Sequence, residues 1–289
     1  MIPGQCVRTA VPRRGLLLGV IGGLAMSAMP ARAAEDTLQE MRSRGFARLA
    51  IANEPPWTQV GSDGKVTGAG PDVARAVLQK LGVPDVQAVI SEYGAMIPGL
   101  MARRFDLIDA GLFMKPERCR AVLYSQPDLC DAESMAVKKG NPLQLASYAD
   151  VAKNPNAHIG APGGGTEERL ALQAGVPRDR VIVVPDGQSG IKMLQDGRID
   201  AYTLPILSIS DLLKKANDPG LEAISPVQGA PVSCAGAAFR KQDQALRDAY
   251  DKVLAQMKAS GEFAKIIEPY GFNPKLALST TRAELCPGS

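Results

Sequence analysis

Residues 103–127 read RRFDLIDAGLFMKPERCRAVLYSQP. The apolar run DLIDAGL predicts a strand, and PERCRAV, opening on Pro116, predicts a helix. Phe113 sits between the two, and Arg118 sits just inside the helix. In an open α/β sheet, ligands bind in the crevice beyond the carboxyl ends of the strands. An aromatic and an arginine at such a junction therefore read as ligand contacts rather than packing.

The same rhythm runs outward from this stretch. FARLAIA (46–52) predicts a strand, GSDGK a turn, and PDVARAVLQKL a helix with Pro71 in its first turn. VQAVI predicts a second strand and MIPGLMARR a short helix. Beyond residue 147 come a short helix near SYADVA, the strand HIGA and a helix from GGGTEERLALQAG; VIVVP, SGIKMLQDG, IDAYTL and LSISDLLKKA continue the alternation. Such a pattern predicts an α/β fold of parallel sheets flanked by helices. Two segments differ: AESMAVKKGNP (132–142) and PVSCAGAAFRK (231–241) are extended and read as crossings between two lobes. The expected division is lobe one at 35–138 plus 235–289 and lobe two at 139–234, joined by a two-crossing hinge. The long helix in DQALRDAYDKVLAQMKASG, apolar at 246, 249, 250, 253, 254 and 257, is expected to pack on lobe one.

Arg13 and Arg14 precede the apolar run LLLGVIGGLAM, and AMPARA then supplies small residues. This predicts a secretory signal peptide over 1–33, cleaved near Ala33, and hence an exported, periplasmic chain. The formal charge of +3, with no polybasic block, argues against nucleic acid or an anionic membrane surface as partner. Cys6 leaves with the signal. The remaining four, Cys119, Cys130, Cys234 and Cys286, are an even number in an oxidising compartment and predict two disulfides. Three pairings are open; Cys119–Cys130 and Cys234–Cys286 are expected, because each partner is then the nearest in sequence. The chain has neither CxxC nor histidine spacing, so no metal site is expected, and no cofactor.

Further candidate contacts fall at strand ends. In NEPPW (53–57), two prolines fix an extended turn and hold Glu54 and Trp57, which is expected to be half exposed in a site. In SEYGAMIPGL, Tyr93 again follows a strand and precedes a helix. Trp57, Tyr93 and Phe113 converging at one sheet edge would form an aromatic cage for a cation. Arg118 suits a bidentate carboxylate, and Glu54 suits ligand N–H groups. Cage, arginine and acid together describe a small zwitterion. APGGGTEERLA (161–171) matches neither a P-loop nor GxGxxG. Instead Thr166 is expected to cap a helix whose free amides attract the ligand's anionic end. His158, the only histidine, reads as a strand residue rather than part of a triad, and DGQSG lacks the nucleophile-elbow pattern. The expectation is a binder and not an enzyme.

The order RRFDLIDAGLFMKPERCRAVLYSQP, GAPGGGTEERL and DGRIDAY resembles periplasmic substrate-binding proteins of polar-amino-acid-type ABC importers, over the whole mature chain. ANEPPW, ISEYGAMIPGL and AGLFMKPERC are similar to the ectoine/hydroxyectoine-binding family among them. That resemblance implies a monomer that hands a small solute to a membrane permease. It also implies an aromatic box at Trp57, Tyr93 and Phe113, an acid at Glu54, an arginine at Arg118 and a second-lobe hydroxyl at Thr166. The first box residue is usually phenylalanine in that family, so tryptophan is a departure. Amino-acid binders commonly carry an aspartate for the α-ammonium just after the motif that DGRIDAY resembles; here IDAYTLPIL offers Leu204 and Pro205. A primary α-amine should bind poorly at such a site, and a cyclic amidinium well. The rival readings are a binder of other polar amino acids or betaines, and a periplasmic dehydratase-like enzyme using Glu54 as acid–base group.

Overall fold

The structure, a computed structural model, describes residues 37–288; the expected signal peptide and its cleavage point lie outside the described residues. Two five-stranded sheets organise the chain. The first runs in the order Asp85–Ile90, Phe46–Ile51, Leu107–Ile108, Ala238–Phe239, Leu123–Tyr124. Its first three strands are parallel, in register from Phe46 opposite Asp85 to Ile51 opposite Ile90. The helix Ala69–Lys80 covers it with Val73, Ala74, Val77 and Leu78, a stripe at helical spacing. The helix Gln244–Ser260 joins the same core through Leu246, Tyr250, Val253, Leu254 and Met257, as its periodicity predicts.

The second sheet runs in the order Val181–Val184, Ile159–Pro162, Ala201–Pro205, Glu133–Lys138, Leu221–Ile224, with apolar cores on both faces. The molecule is thus two-lobed, each lobe a sheet flanked by helices. Three features differ from expectation. The sheets are mixed, because Ala238–Phe239 and Glu133–Lys138 each run antiparallel to both of their neighbours. These are the strands by which the chain leaves and re-enters a lobe, so no helical crossover turns them round. Glu133–Lys138 pairs with second-sheet strands on both edges, so the chain crosses between lobes before residue 133 rather than at 138.

The disulfides are the third difference: they join Cys119 to Cys286 and Cys130 to Cys234. The crossing strand Leu129–Asp131 pairs antiparallel with the returning strand Ser233–Ala235, which sets Cys130 directly opposite Cys234. The tail then folds back over the helix Pro116–Ala121 and brings Cys286 to Cys119. Nearest-in-sequence pairing fails because the chain returns to its first lobe.

Candidate functional site

The strand Phe46–Ile51 ends in a turn that Asn53 opens at φ +52°. Thr58 ties the turn: its hydroxyl accepts from the Glu54 amide at 3.1 Å, and its amide donates to the Glu54 carbonyl at 2.9 Å. Glu54 is thereby aimed along the cleft and Trp57 back toward its own lobe. Trp57 is 1 % exposed, not half exposed as expected. It packs edge-to-face on Phe113 at 5.4 Å and on Phe272 at 4.7 Å. Phe272, from the far end of the chain, covers what the polar neighbours of NEPPW suggest is open. A Cβ on Gly111 would lie 2.7 Å from the Trp57 ring, so only glycine lets the Phe113 segment pass so close.

Tyr93 begins the helix Tyr93–Met101. Its hydroxyl lies 2.9 Å from the Ala110 carbonyl and 3.2 Å from Glu54 Oε2, and its single proton is shared between them. Arg118 Nη1 donates to the Phe113 carbonyl in its own lobe, and Nη2 to the Gly164 carbonyl of the other lobe, each at 2.9 Å. Thr166 is the first residue of the helix Thr166–Gln173, not its cap; Gly165 holds the cap position and no side chain caps it. Having no capping role, the buried Thr166 hydroxyl is left without a hydrogen-bond partner among the described residues.

Trp57, Tyr93, Phe113, Arg118 and Thr166 line one narrow space between the lobes. Glu54 does not line it: it borders an adjoining chamber, shared with Tyr93, and reaches the cage through the Tyr93 hydroxyl. Pro205 lines the cavity, so the wall there is apolar. His158 precedes the strand Ile159–Pro162, takes no part in the cavity, and donates its amide to Asp200 at 2.8 Å.

Two residues escape the sequence reading. Glu167 is buried and lines the same cavity; its signal was the acid directly after Thr166, which the sequence does not separate from Glu168 beside it, an acid that pairs with Arg178 instead. Ser208, on the helix Ile206–Ala216 of the second lobe, donates to Glu54 Oε1 at 2.5 Å. Burial, with Glu167 and Asp131 as like-charged neighbours, raises the Glu54 carboxyl to about 7 despite these hydrogen bonds. Burial also raises Glu167, against the pull of Arg118 and Lys115. The arrangement is a small aromatic-walled space lined also by an arginine, an unpartnered hydroxyl and one carboxyl, with a second carboxyl behind the Tyr93 hydroxyl. That set is complementary to a compact molecule carrying both a cation and a carboxylate.

Residues 48–273 match the family of bacterial extracellular solute-binding proteins, family 3. The chain belongs to this family. It is 34 % identical over 283 residues to a probable amino-acid ABC transporter periplasmic-binding protein, y4tE, of Sinorhizobium fredii, covering 94 % of this chain and 93 % of that one. Among solved structures, a crystal structure of EhuB in complex with hydroxyectoine is 72 % identical, with TM-score 0.86, over 87 % of this chain and 98 % of that one. An ancestral amino acid-binding protein described as a precursor of cyclohexadienyl dehydratase is 26 % identical, with TM-score 0.70, over 81 % and 99 %. This family 3 member is therefore a solute-binding protein of an ABC importer, and its relatives are extracytoplasmic transport-binding proteins. Among the described residues, no helix is long and apolar enough to cross a membrane.

Proposed function

We propose that this protein captures ectoine and hydroxyectoine between its lobes outside the cytoplasm, after export on residues 1–33, and delivers them unchanged to an ABC permease. The observation that carries the reading is the meeting of Trp57, Tyr93, Phe113, Arg118 and Thr166 around one small inter-lobe cavity. The 72 % identity to a hydroxyectoine-binding neighbour supports it. The cyclic amidinium, its charge spread over a ring, would stack within the aromatic walls, each contact contributing about 0.5–2 kcal/mol. Its carboxylate would meet the free N–H groups of Arg118, the Thr166 hydroxyl and the helix start behind it. Glu167 would receive the ring N–H groups, and Glu54 would act on the ring's charge from behind the Tyr93 hydroxyl. Pro205 offers no counter-charge to a primary ammonium, which disfavours ordinary α-amino acids.

The test is equilibrium binding to a panel of ectoine, hydroxyectoine, glycine betaine, proline, histidine and arginine, followed by chromatography of the recovered solute. Tight binding of the two ectoines, chemically unchanged on recovery, is the expected result. Stronger binding of histidine or arginine would replace the solute class, and turnover would move the protein to the enzyme reading.

A further inference from the structure

The glycines 163–165 fit no nucleotide-binding pattern, and an anion site uses only the helix that follows them. What they touch is the opposite lobe. The Gly94 amide, at the second position of the helix Tyr93–Met101, donates to the Gly163 carbonyl at 3.2 Å. One residue on, the Gly164 carbonyl receives Arg118 Nη2. A Cβ on Gly164 would stand 2.5 Å from Gly94 Cα and 2.6 Å from Gly94 N. A helix backbone cannot yield to that as a flexible side chain can. The reverse is not so tight: a Cβ on Gly94 meets nothing nearer than 3.6 Å. Arg169 and Glu117 form an ion pair between the same two lobes.

We infer that Gly94 and Gly164 are closure-determining residues, a backbone-to-backbone latch whose fit sets how far the lobes close and hence how tightly solute is held. This rests on the reading of the cleft as a capture site. Arg118 couples the latch to the solute, because the guanidinium that lines the cavity also grips Gly164. A carboxylate that immobilises Arg118 immobilises the latch with it. Neither glycine needs to touch solute for its replacement to weaken binding, since a solute is retained only by the conformation whose contacts it completes.

The test compares three variants with wild type by calorimetry and by small-angle scattering, with and without ectoine, hydroxyectoine, histidine or arginine. Gly164 lies at φ +72°, so Gly164→Asn is chosen because asparagine tolerates the left-handed region while adding the offending Cβ. Gly94→Ala adds a Cβ that fits, and Gly94→Val adds γ-carbons beyond it. Wild type and Gly94→Ala should compact on solute and bind within about threefold of each other. Gly164→Asn and Gly94→Val should stay extended and bind about tenfold or more weakly, with solute-free melting near that of wild type. Should Gly164→Asn fail to fold, Gly94→Val carries the comparison from a helical position with no positive φ, where a side chain strains no backbone. Wild-type-like compaction and affinity in the folded bulky variants would overturn the latch alone. A wild type that neither binds nor compacts on any of the panel would overturn the capture reading and the latch with it.

Discussion

Ser208 donates to Glu54 across the cleft at 2.5 Å, so the acid of one lobe is held by a hydroxyl of the other. Tyr93 occupies the second carboxyl oxygen. An acid bridging the lobes beside the cage makes closure sensitive to the acid's protonation.

In the closed cleft, burial raises the Glu54 carboxyl to about 7, so below that pH it holds its proton there unless a cation lies beside it. A cationic solute favours the carboxylate and lowers that value in the complex, so binding releases a proton. Affinity should therefore be full above about 7 and fall as pH drops through it, by up to about tenfold per pH unit. Calorimetry in buffers of different ionisation enthalpy counts the proton. Glu167, raised in the same direction, contributes the same sign; Glu54→Gln should remove one proton from the count. Affinity that stays level from about pH 5 to 8 would remove Glu54 from the cation's surroundings.

The buried Trp57 ring is wedged between Phe113 and Phe272 and also lines the cavity. Trp57→Leu should destabilise the fold by about 2–4 kcal/mol through lost packing. It should also weaken ectoine binding by about 0.5–2 kcal/mol through the lost ring face. Trp57→Phe should cost less on both counts. Thermal melting and calorimetry on the folded fraction separate the two effects. A leucine variant that melts early yet binds ectoine undiminished would make Trp57 a core residue only. As the single tryptophan, its fluorescence should also shift with ectoine and stay flat with histidine or arginine.

The two-lobed α/β architecture was legible because alternating strand and helix patterns are local, as was the position of candidate contacts just past strand ends. Tyr93, Phe113 and Arg118 follow directly from that rule. What escaped depends on residues distant in sequence. The covering of Trp57 comes from Phe272, 215 positions later by number, a partner that no neighbouring residue of NEPPW announces. Ser208 belongs to a helix that reads as an ordinary amphipathic segment, and only the closed cleft brings it to Glu54. Glu133–Lys138 reads as an approach to the hinge, whereas its pairing on both edges makes it the second sheet's interior. Thr166 stands next to a helix start in either reading, but a one-residue difference in the cap decides whether its hydroxyl is spent or free.

The disulfide arrangement predicts no free thiol among residues 37–288 and two specific cross-linked peptides, Cys119 with Cys286 and Cys130 with Cys234. Thiol titration of denatured, unreduced protein should read about zero. Peptide mapping without reduction then fixes the partners. Cys130–Cys234 joins the paired crossing strands, so its double serine variant should lose about 2–5 kcal/mol. A peptide linking Cys119 with Cys130 would contradict this arrangement.

Arg118 makes two backbone hydrogen bonds, one in each lobe, and still lines the cavity. Its side chain is only half buried, so Arg118→Ala should leave melting close to wild type. Binding should suffer far more, by about 2–5 kcal/mol, because the solute carboxylate would be desolvated without a partner and the grip on Gly164 would be gone. Arg118→Lys should recover only part of the loss. One ammonium keeps the charge but cannot reach the Phe113 carbonyl, the Gly164 carbonyl and a carboxylate together, as a planar fork can. Calorimetry of both variants against ectoine checks the ordering. An alanine variant with near-wild-type affinity, or a lysine variant equal to arginine, would mean that the solute's anionic end is held elsewhere in the cleft.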